Sequence, residues 1–183
     1  NIGMFSVGKD LNGARIAGDL TETNAKLISS VEETSTYKFI PEKDLFDVEY
    51  WSLEQAKIKR KKKLLEGNVV VITGSSGTIG FETYKIFKSY GAEVILLDYN
   101  LERLKEVQSK INDLCIHCDV TNKRSVKSAF KQICEKFGGI DILVSNAGIS
   151  PSGSIAEVSD DVLRKSFEVN FFSHQNCASE AVK

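Results

Sequence analysis

A glycine-rich turn between a strand pattern and a helix pattern constrains this fold more than any other feature. The β-branched run at residues 69–72 leads into Thr73-Gly74-Ser75-Ser76-Gly77-Thr78-Ile79-Gly80, and a helical pattern follows. A continuous apolar run of this kind is typical of a strand buried on both faces. Glycine lets the backbone turn tightly and approach a pyrophosphate, and a helix N-terminus behind it offers unpaired N–H groups. The context predicts a phosphate-binding turn formed by Gly74, Ser75, Ser76, Gly77, Thr78, Ile79 and Gly80.

Strand and helix patterns alternate four times after this point. The predicted strands cover residues 69–72, 93–98, 114–120 and 140–145, and the last helix is capped by Ser159 and runs to Lys183. Short links in such an alternation indicate a parallel sheet with right-handed crossovers. We predict an α/β fold, a Rossmann-type doubly wound parallel sheet, truncated after the fourth strand and the following helix. Residues 67–183 would form the N-terminal, incomplete part of a dinucleotide-binding domain.

Asp98 ends the predicted second strand, about 20 residues past the glycines, where such folds place a ribose-binding carboxylate. The carboxylate accepts hydrogen bonds from both adenosine ribose hydroxyls and repels a 2′-phosphate, so it favours NAD over NADP. Arg103 can soften that preference. The alternative is that Asp98 caps the following helix, and both roles can coexist. Tyr99, the next residue, is a further candidate for contact with the cofactor.

Two more motifs end predicted strands. Cys118-Asp119-Val120-Thr121 lies at the end of the third strand, and Ser145-Asn146-Ala147-Gly148 lies at the end of the fourth. Ligands of open α/β sheets bind at the carboxyl ends of the strands, where all of these residues lie. Asp119 would accept from the adenine amino group, Gly148 would let the backbone come close to the cofactor, and Asn146 would support the central strand and a ribose. Each residue alone is typical of a turn, but their joint placement favours a binding site.

Composition excludes several partners. The net charge of -1 gives no reason to expect nucleic acid, and no apolar run reaches the roughly 18–20 residues of a membrane span. The basic run at residues 59–63 invites a nucleic-acid interpretation, but a solvated helix end is the simpler one. Cys115-Ile116-His117-Cys118 resembles half of a zinc site without a second pair, so we favour a buried strand and expect no metal. Four cysteines without a secretion signal favour free thiols and a cytoplasmic protein.

The residues from about 65 to 183 resemble the short-chain dehydrogenase/reductase family. The glycine motif, Asp119 and Asn146-Ala147-Gly148 match the family's motifs in order and spacing. The family's catalysis uses an Asn on the helix after the fourth strand, which Asn170 matches, then a Ser and a Tyr-x-x-x-Lys pair. The resemblance implies that the Asn holds a water in a proton relay, the Ser orients the substrate oxygen and the Tyr is the acid/base.

The family's Ser and Tyr-x-x-x-Lys would follow Lys183. Tyr84 and Lys88 have the required spacing, but they lie on the first helix, on the wrong side of the fold, so we reject them as the catalytic pair. Carbonyl reduction needs a proton donor as well as a hydride. We therefore expect little or no dehydrogenase activity from this polypeptide.

The first 66 residues carry a second resemblance. The segments at residues 3–9 and 46–54 resemble the junction in bifunctional sugar-catabolic proteins that join a class II aldolase-like domain to a short-chain dehydrogenase, as in the rhamnulose-1-phosphate aldolase/lactaldehyde dehydrogenase family. Residues 1–66 would then be the tail of an upstream aldolase-like domain plus a linker. An aldolase zinc site needs clustered histidines, which the sequence lacks, so we expect no aldolase activity.

The leading hypothesis is a fragment of an NAD-dependent oxidoreductase acting on a small sugar-derived alcohol or aldehyde. Its partners would be NAD(H), a small carbonyl or alcohol substrate in the full-length parent, and a second copy of the chain. The alternatives are a non-catalytic dinucleotide-binding module and an assembly segment. The last helix resembles one that the family uses for dimer contacts, which favours a homo-oligomer.

Overall fold

The computed structural model of the chain describes residues 3–49 and 63–183. The chain divides into two compact units, Asn1–Lys63 and Leu64–Lys183, and each is described by itself. In the described part of the chain, every helix is too short or too polar to cross a membrane. The sequence predicts a helix over residues 53–58, capped by Ser52, and packing of Tyr50 and Trp51 on a neighbouring domain. These residues and most of the basic run lie outside the described residues.

Within residues 3–49, the first unit contains the helices α1 (Leu11–Glu32) and α2 (Glu42–Glu49). The sequence has a weak helical periodicity from residue 9 to residue 30, and α1 corresponds to it. Asp10 caps this helix, because its Oδ1 atom accepts a hydrogen bond of 2.8 Å from the backbone N–H of Gly13. Such a cap satisfies one of the N–H groups that the first helical turn leaves without a partner.

The second unit alternates strands and helices. Its elements are β1 (Val69–Thr73), α3 (Thr78–Ser89), β2 (Glu93–Asp98), α4 (Leu101–Gln108), β3 (Cys115–His117), α5 (Lys123–Phe137), β4 (Ile142–Val144), α6 (Asp160–Phe167), a π-helical turn (Glu168–Phe172) and α7 (Ser173–Ala181).

The four strands form one parallel sheet in the order β3-β2-β1-β4. The predicted Rossmann-type parallel sheet with flanking helices is therefore confirmed. The chain first adds strands on one side of β1 and then crosses to its other side with β4. Such a reversal opens a crevice at the carboxyl ends of β1 and β4, which is where ligands bind in sheets of this type.

Apolar side chains cover both faces of the central strands. Val70 and Ile72 of β1 are fully buried in one cluster with Leu96 of β2, Tyr84 of α3 and Leu104 of α4. Alternate strand residues point to opposite faces, and the intervening ones are buried as well. Burial on both faces explains why these strands are continuously apolar rather than alternating.

Three elements differ from their predicted form. The β4 strand covers Ile142–Val144 and not residues 140–145. The β3 strand covers Cys115–His117 and not residues 114–120, because Asp119 starts a turn: its Oδ1 atom accepts from the backbone N–H of Thr121 at 2.9 Å. The long last helix is interrupted by the π-helical turn, which separates α6 from α7. An inserted π-helical turn is rare and often lies at a functional site.

Candidate functional site

The glycine turn is tight because backbone atoms occupy the places where side chains would be. Gly74 has a φ of +62°, and a Cβ there would lie 2.8 Å from the Cα of Ala147. A Cβ on Gly80 would lie 2.5 Å from the carbonyl oxygen of Gly74. Gly77 is the N-cap of α3 and has no side chain to bind the N–H groups of the first helical turn. Those groups face the cleft described below and suit an anion.

Asp98 lies at the end of β2 beside this turn. Its Oδ2 atom accepts a hydrogen bond of 2.9 Å from the backbone N–H of Ser76, and its Oδ1 atom accepts one of 2.8 Å from Asn100. Asn100, and not Asp98, caps α4, because its side chain accepts from the N–H of Arg103. Each oxygen of a carboxylate can accept two hydrogen bonds, so both oxygens of Asp98 keep an acceptor site for a ligand.

Asn146 joins the end of β4 to the end of β1. Its Nδ2 atom donates to the carbonyl oxygens of Thr73 and Gly74, at 3.0 and 3.1 Å. The hydroxyl of Thr73 accepts in return from the backbone N–H groups of Asn146 and Ala147, both at 3.0 Å. Four hydrogen bonds therefore hold the two central loops together, and sequence reasoning missed the contribution of Thr73.

Asp119 and Asn170 brace two other loops. The Oδ1 atom of Asp119 accepts from both the N–H and the hydroxyl of Thr121, at 2.9 and 2.7 Å. The side-chain amide of Asn170, in the π-helical turn, accepts from the N–H of Ile149 and donates to its carbonyl oxygen, both at 2.8 Å. The amide of Asn170 thus holds the loop after Gly148, and a Cβ on Gly148 would lie 3.3 Å from its Oδ1 atom.

One cleft of about 940 Å³ joins these features at the carboxyl edge of the sheet. All the predicted cofactor-binding residues line it except Ser75, which is buried and donates its hydroxyl to the carbonyl oxygen of Leu97 at 3.1 Å. Asn170 lies behind the lining and reaches it through Ile149. Cys118 and Thr121, which belong to the predicted motif at the end of the third strand, also line the cleft. Sequence reasoning missed the following lining residues: Asn100, Ile149, Lys165, Glu168 and Val169. The last three lie on α6 and the π-helical turn, and no sequence signal shows that these elements border the cleft.

Tyr84 and Lys88 lie at the other edge of the sheet. The Tyr84 hydroxyl donates to Oδ2 of Asp113 at 2.7 Å, and Nζ of Lys88 lies 2.8 Å from Oδ1 of the same carboxylate. Asp113 precedes β3, so this cluster is where the strands begin, away from the cleft. Burial, the hydrogen bond to Asp113 and its charge raise the pKa of Tyr84 above its usual value. An acid/base for neutral pH needs a lowered pKa, so the structure supports the rejection of this pair.

The cysteines are distributed through the fold as free thiols. Burial raises the pKa of Cys115 to about 11 and that of Cys177 to about 12, and it also raises the pKa of the buried Cys118. Raised pKa values mark structural rather than reactive thiols. Among residues 3–49 and 63–183, there is no group of three or more side chains that could hold a metal ion.

A parallel sheet in this order, with a glycine turn leading into an uncapped helix, defines a nucleotide-binding α/β domain of the Rossmann type. Residues 68–183 match the model of the short chain dehydrogenase family, and the chain belongs to that family of oxidoreductases. Members of the family generally use nicotinamide dinucleotides. Residues 1–58 match the model described as aldolase class II, second domain, which agrees with the resemblance of the N-terminal segment.

Individual relatives agree with this assignment. The chain is 31% identical over 167 residues to the uncharacterized oxidoreductase YuxG of Bacillus subtilis, a match that covers 86% of this chain and 24% of that protein. It is 38% identical over 112 residues to short-chain dehydrogenase reductase 3b of Arabidopsis thaliana, covering 59% of this chain and 44% of that protein. The chain thus spans less than half the length of these curated relatives.

Solved structures match the second unit. A short-chain dehydrogenase/reductase described as a glucose/ribitol dehydrogenase, from Brucella melitensis, superposes with a TM-score of 0.63 at 27% identity, covering 67% of this chain and 54% of that one. A short chain dehydrogenase from Mycobacterium smegmatis superposes with a TM-score of 0.62 at 31% identity, covering 65% and 52%.

Proposed function

We propose that this chain binds NAD(H) and forms the cofactor-binding part of an oxidoreductase that acts on a small sugar-derived alcohol or aldehyde. The observation that carries the proposal is the single cleft in which the N-terminus of α3, Asp98, Asp119 and the loop at residues 146–148 come together. When bound, the nicotinamide would supply or accept a hydride. The residues of this chain bind and orient the dinucleotide.

Each part of the cleft suits one part of a dinucleotide. The N–H groups of the first turn of α3 fit the pyrophosphate, because Gly77 leaves them uncapped. The Asp98 carboxylate fits the adenosine ribose hydroxyls, and Tyr99, with 70% of its surface exposed, offers a ring for the adenine. In the described part of the chain, Oδ2 of Asp119 has no hydrogen-bond partner, so it can accept from the adenine amino group.

Asp98 supports a preference for NAD over NADP. A 2′-phosphate would bring a second negative charge to a carboxylate of which only 9% is exposed, and repulsion is strong where water screens poorly. Arg103 lines the same cleft and opposes this preference. We expect the preference for NAD to persist, because the Asp98 carboxylate lies directly beside the glycine turn, where it accepts from Ser76, whereas Arg103 lies in the first turn of α4.

The isolated chain should catalyse little alcohol oxidation. The sequence contains one Tyr-x-x-x-Lys pair, and Asp113 engages both of its members at the edge away from the cleft. Asn170 is the one residue that matches the catalytic set, and its amide is engaged by Ile149. In this proposal Asn170 holds the cofactor-side loop and belongs to a proton relay that needs further groups.

The N-terminal unit supports the assignment to sugar chemistry. Its match to a class II aldolase second domain favours a bifunctional parent in which residues 1–66 end an aldolase-like domain and residues 67–183 begin the dehydrogenase. Aldolase products and sugar-derived aldehydes are small carbonyl compounds, which suits a dehydrogenase joined to such a domain. Four free thiols favour a cytoplasmic location.

Self-association is part of the proposal. The α6 helix and the π-helical turn expose the large apolar side chains of Leu163, Phe167, Phe171 and Phe172. Exposed apolar groups on neighbouring turns are typical of an interface. An alternative follows from the same surface, namely an assembly segment whose association does not depend on the cofactor.

A fluorescence titration of the pure 183-residue chain with NADH and NADPH tests the main proposal. We expect saturable binding of NADH and weaker binding of NADPH. Equal affinity for the two would count against Asp98 as the selecting group, and no binding of either would overturn the proposal. Light scattering with and without NADH separates this function from cofactor-independent assembly.

A further inference from the structure

His117 has no part in the site as described so far, yet it lies next to the residue that selects the cofactor. It is the last residue of β3, and in the parallel ladder it pairs with Asp98, the last residue of β2. The side chain is exposed, so burial in the core does not explain its position.

The imidazole of His117 contacts Tyr99. Its Nε2 atom lies 2.9 Å from the backbone carbonyl oxygen of Tyr99. A carbonyl oxygen only accepts, so Nε2 carries the proton in this contact. The two rings are also neighbours, with centroids 6.0 Å apart and planes inclined by 37°. One side chain therefore holds the Tyr99 backbone and flanks its ring.

This contact completes the support of a short turn. Asp98 is bound by the N–H groups of Ser76 and Asn100, and its own carbonyl oxygen accepts from Cys118 at 2.9 Å. Tyr99 lies between Asp98 and Asn100, and its carbonyl oxygen is the atom that His117 binds. Removing the imidazole would release the middle of a turn whose two ends stay bound.

We propose that His117 is a positioning residue for the adenosine half of the cofactor. By holding the carbonyl group of Tyr99, it fixes the turn that presents the Asp98 carboxylate to the ribose and the Tyr99 ring to the adenine. This inference rests on the proposed function, since it assigns a specificity role within the same cleft. A role in stability alone would weaken every ligand equally, whereas a positioning role changes the discrimination between NADH and NADPH.

The test compares three variants in parallel titrations with NADH and NADPH. His117→Leu removes the donor. His117→Gln keeps an amide N–H at a similar distance from the backbone. His174→Leu is the matched control, because the Nδ1 atom of His174 contacts the hydroxyl of Ser145, at the end of β4 on the opposite side of the sheet. Thermal unfolding of each variant measures the loss of stability separately.

We expect His117→Leu to lower the affinity for NADH about three- to tenfold, the range for one lost hydrogen bond. The affinity for NADPH should fall less, because a less firmly held Asp98 carboxylate repels the 2′-phosphate less. The ratio of NADH affinity to NADPH affinity should therefore decrease. His117→Gln should restore the discrimination between NADH and NADPH. His174→Leu should lower the stability of the chain without changing that discrimination. If the Leu variant aggregates, His117→Asn replaces it in the test. The Asn side chain is too short for its amide to reach the carbonyl oxygen of Tyr99.

Two results overturn the inference in different ways. If the unchanged chain binds NADH with preference and His117→Leu keeps the same NADH-to-NADPH ratio, the role of His117 is wrong and the proposed function stands. If the unchanged chain binds no NADH, the proposed function fails and the role of His117 fails with it.

Discussion

Two aspartates at opposite edges of one sheet use their carboxylates in different ways. Asp98, where the strands end, accepts from two backbone N–H groups and still faces the cleft. Asp113, where β3 begins, accepts from a Tyr hydroxyl and a Lys ammonium group. Backbone donors fix the position of a carboxylate without neutralising its charge, whereas the lysine supplies the opposite charge. The arrangement at Asp98 leaves a site for a ligand, whereas at Asp113 the protein itself supplies both the donors and the opposite charge.

The same difference explains why Tyr-x-x-x-Lys spacing is not enough to identify a catalytic pair. Tyr84 and Lys88 lie one helical turn apart on α3, as that spacing requires, but both point to Asp113. Burial, and then the carboxylate, raise the pKa of the Tyr84 phenol, the opposite of what an acid/base needs. The function of a motif is set by the edge of the sheet at which it lies.

The largest expected effect on NADH binding comes from filling the glycine turn at the carboxyl edge of the sheet with a side chain. In Gly80→Ala, the added Cβ would lie 2.5 Å from the carbonyl oxygen of Gly74 and 2.8 Å from the Cα of Ser75, so the backbone of the turn must shift. We expect a loss of about 1–3 kcal/mol of stability and at least a tenfold loss of NADH affinity, measured by denaturant unfolding and by titration. Gly139→Ala is the control, because its Cβ meets nothing within 4 Å. Unchanged NADH binding in Gly80→Ala would show that the turn does not hold the cofactor.

Removing only the charge at the carboxyl edge should have the next largest effect. Asp98→Asn keeps the shape but presents an N–H group to Ser76 or Asn100, both of which are donors. We expect about a tenfold loss of NADH affinity, since hydrogen bonds to charged groups contribute about 1.5–3 kcal/mol. NADPH should lose less, and parallel titrations measure the ratio. A ratio equal to that of the unchanged chain would assign the selectivity elsewhere in the cleft, with Arg103 the first residue to examine.

At the opposite edge, the same kind of change should affect stability and not binding. Asp113→Ala leaves the Tyr84 hydroxyl and the Lys88 ammonium without their acceptor. We expect a loss of about 1–2 kcal/mol in the free energy of unfolding, kept modest because Lys88 is about one-third exposed. Urea unfolding measures the loss, and NADH titration checks that affinity stays within about twofold. A large drop in NADH affinity would mean that this cluster controls the cleft through α3.

The fold was largely predictable because its signals are local. Burial on both faces makes β1 and β2 continuously apolar. Asn122 and Ser159 begin helices and Gly138 ends one, by capping rules that sequence alone reveals. The limits of β3 were less predictable. An alternating apolar pattern, Ile116, Cys118 and Val120, continues to Val120, but the side chain of Asp119 binds Thr121 and turns the chain earlier.

The residues of the site were predictable from the sequence only where the residue type itself indicates the role. Glycines and strand-end carboxylates do so, whereas Asn100 and His117 act through backbone groups that are neighbours only in the folded chain. The π-helical turn also escaped prediction, because residues 160–181 have an uninterrupted helical pattern. This turn carries a tertiary contact: Asn170 binds both backbone groups of Ile149, which lies 21 residues earlier.

The smallest expected effect concerns the pH dependence at the Asp113 edge. Because the pKa of Tyr84 is raised in the folded chain above its ordinary value of 10.0, the folded state favours the neutral phenol. Its contribution to stability is complete below pH 10 and declines as the pH rises above 10, because the unfolded chain then releases its proton first. Tyr84→Phe should therefore lose about 1 kcal/mol at neutral pH, and its stability should fall less steeply than that of the unchanged chain above pH 10. Unfolding in urea between pH 8 and pH 11 measures both slopes, and parallel slopes would mean that folding does not raise the pKa of Tyr84.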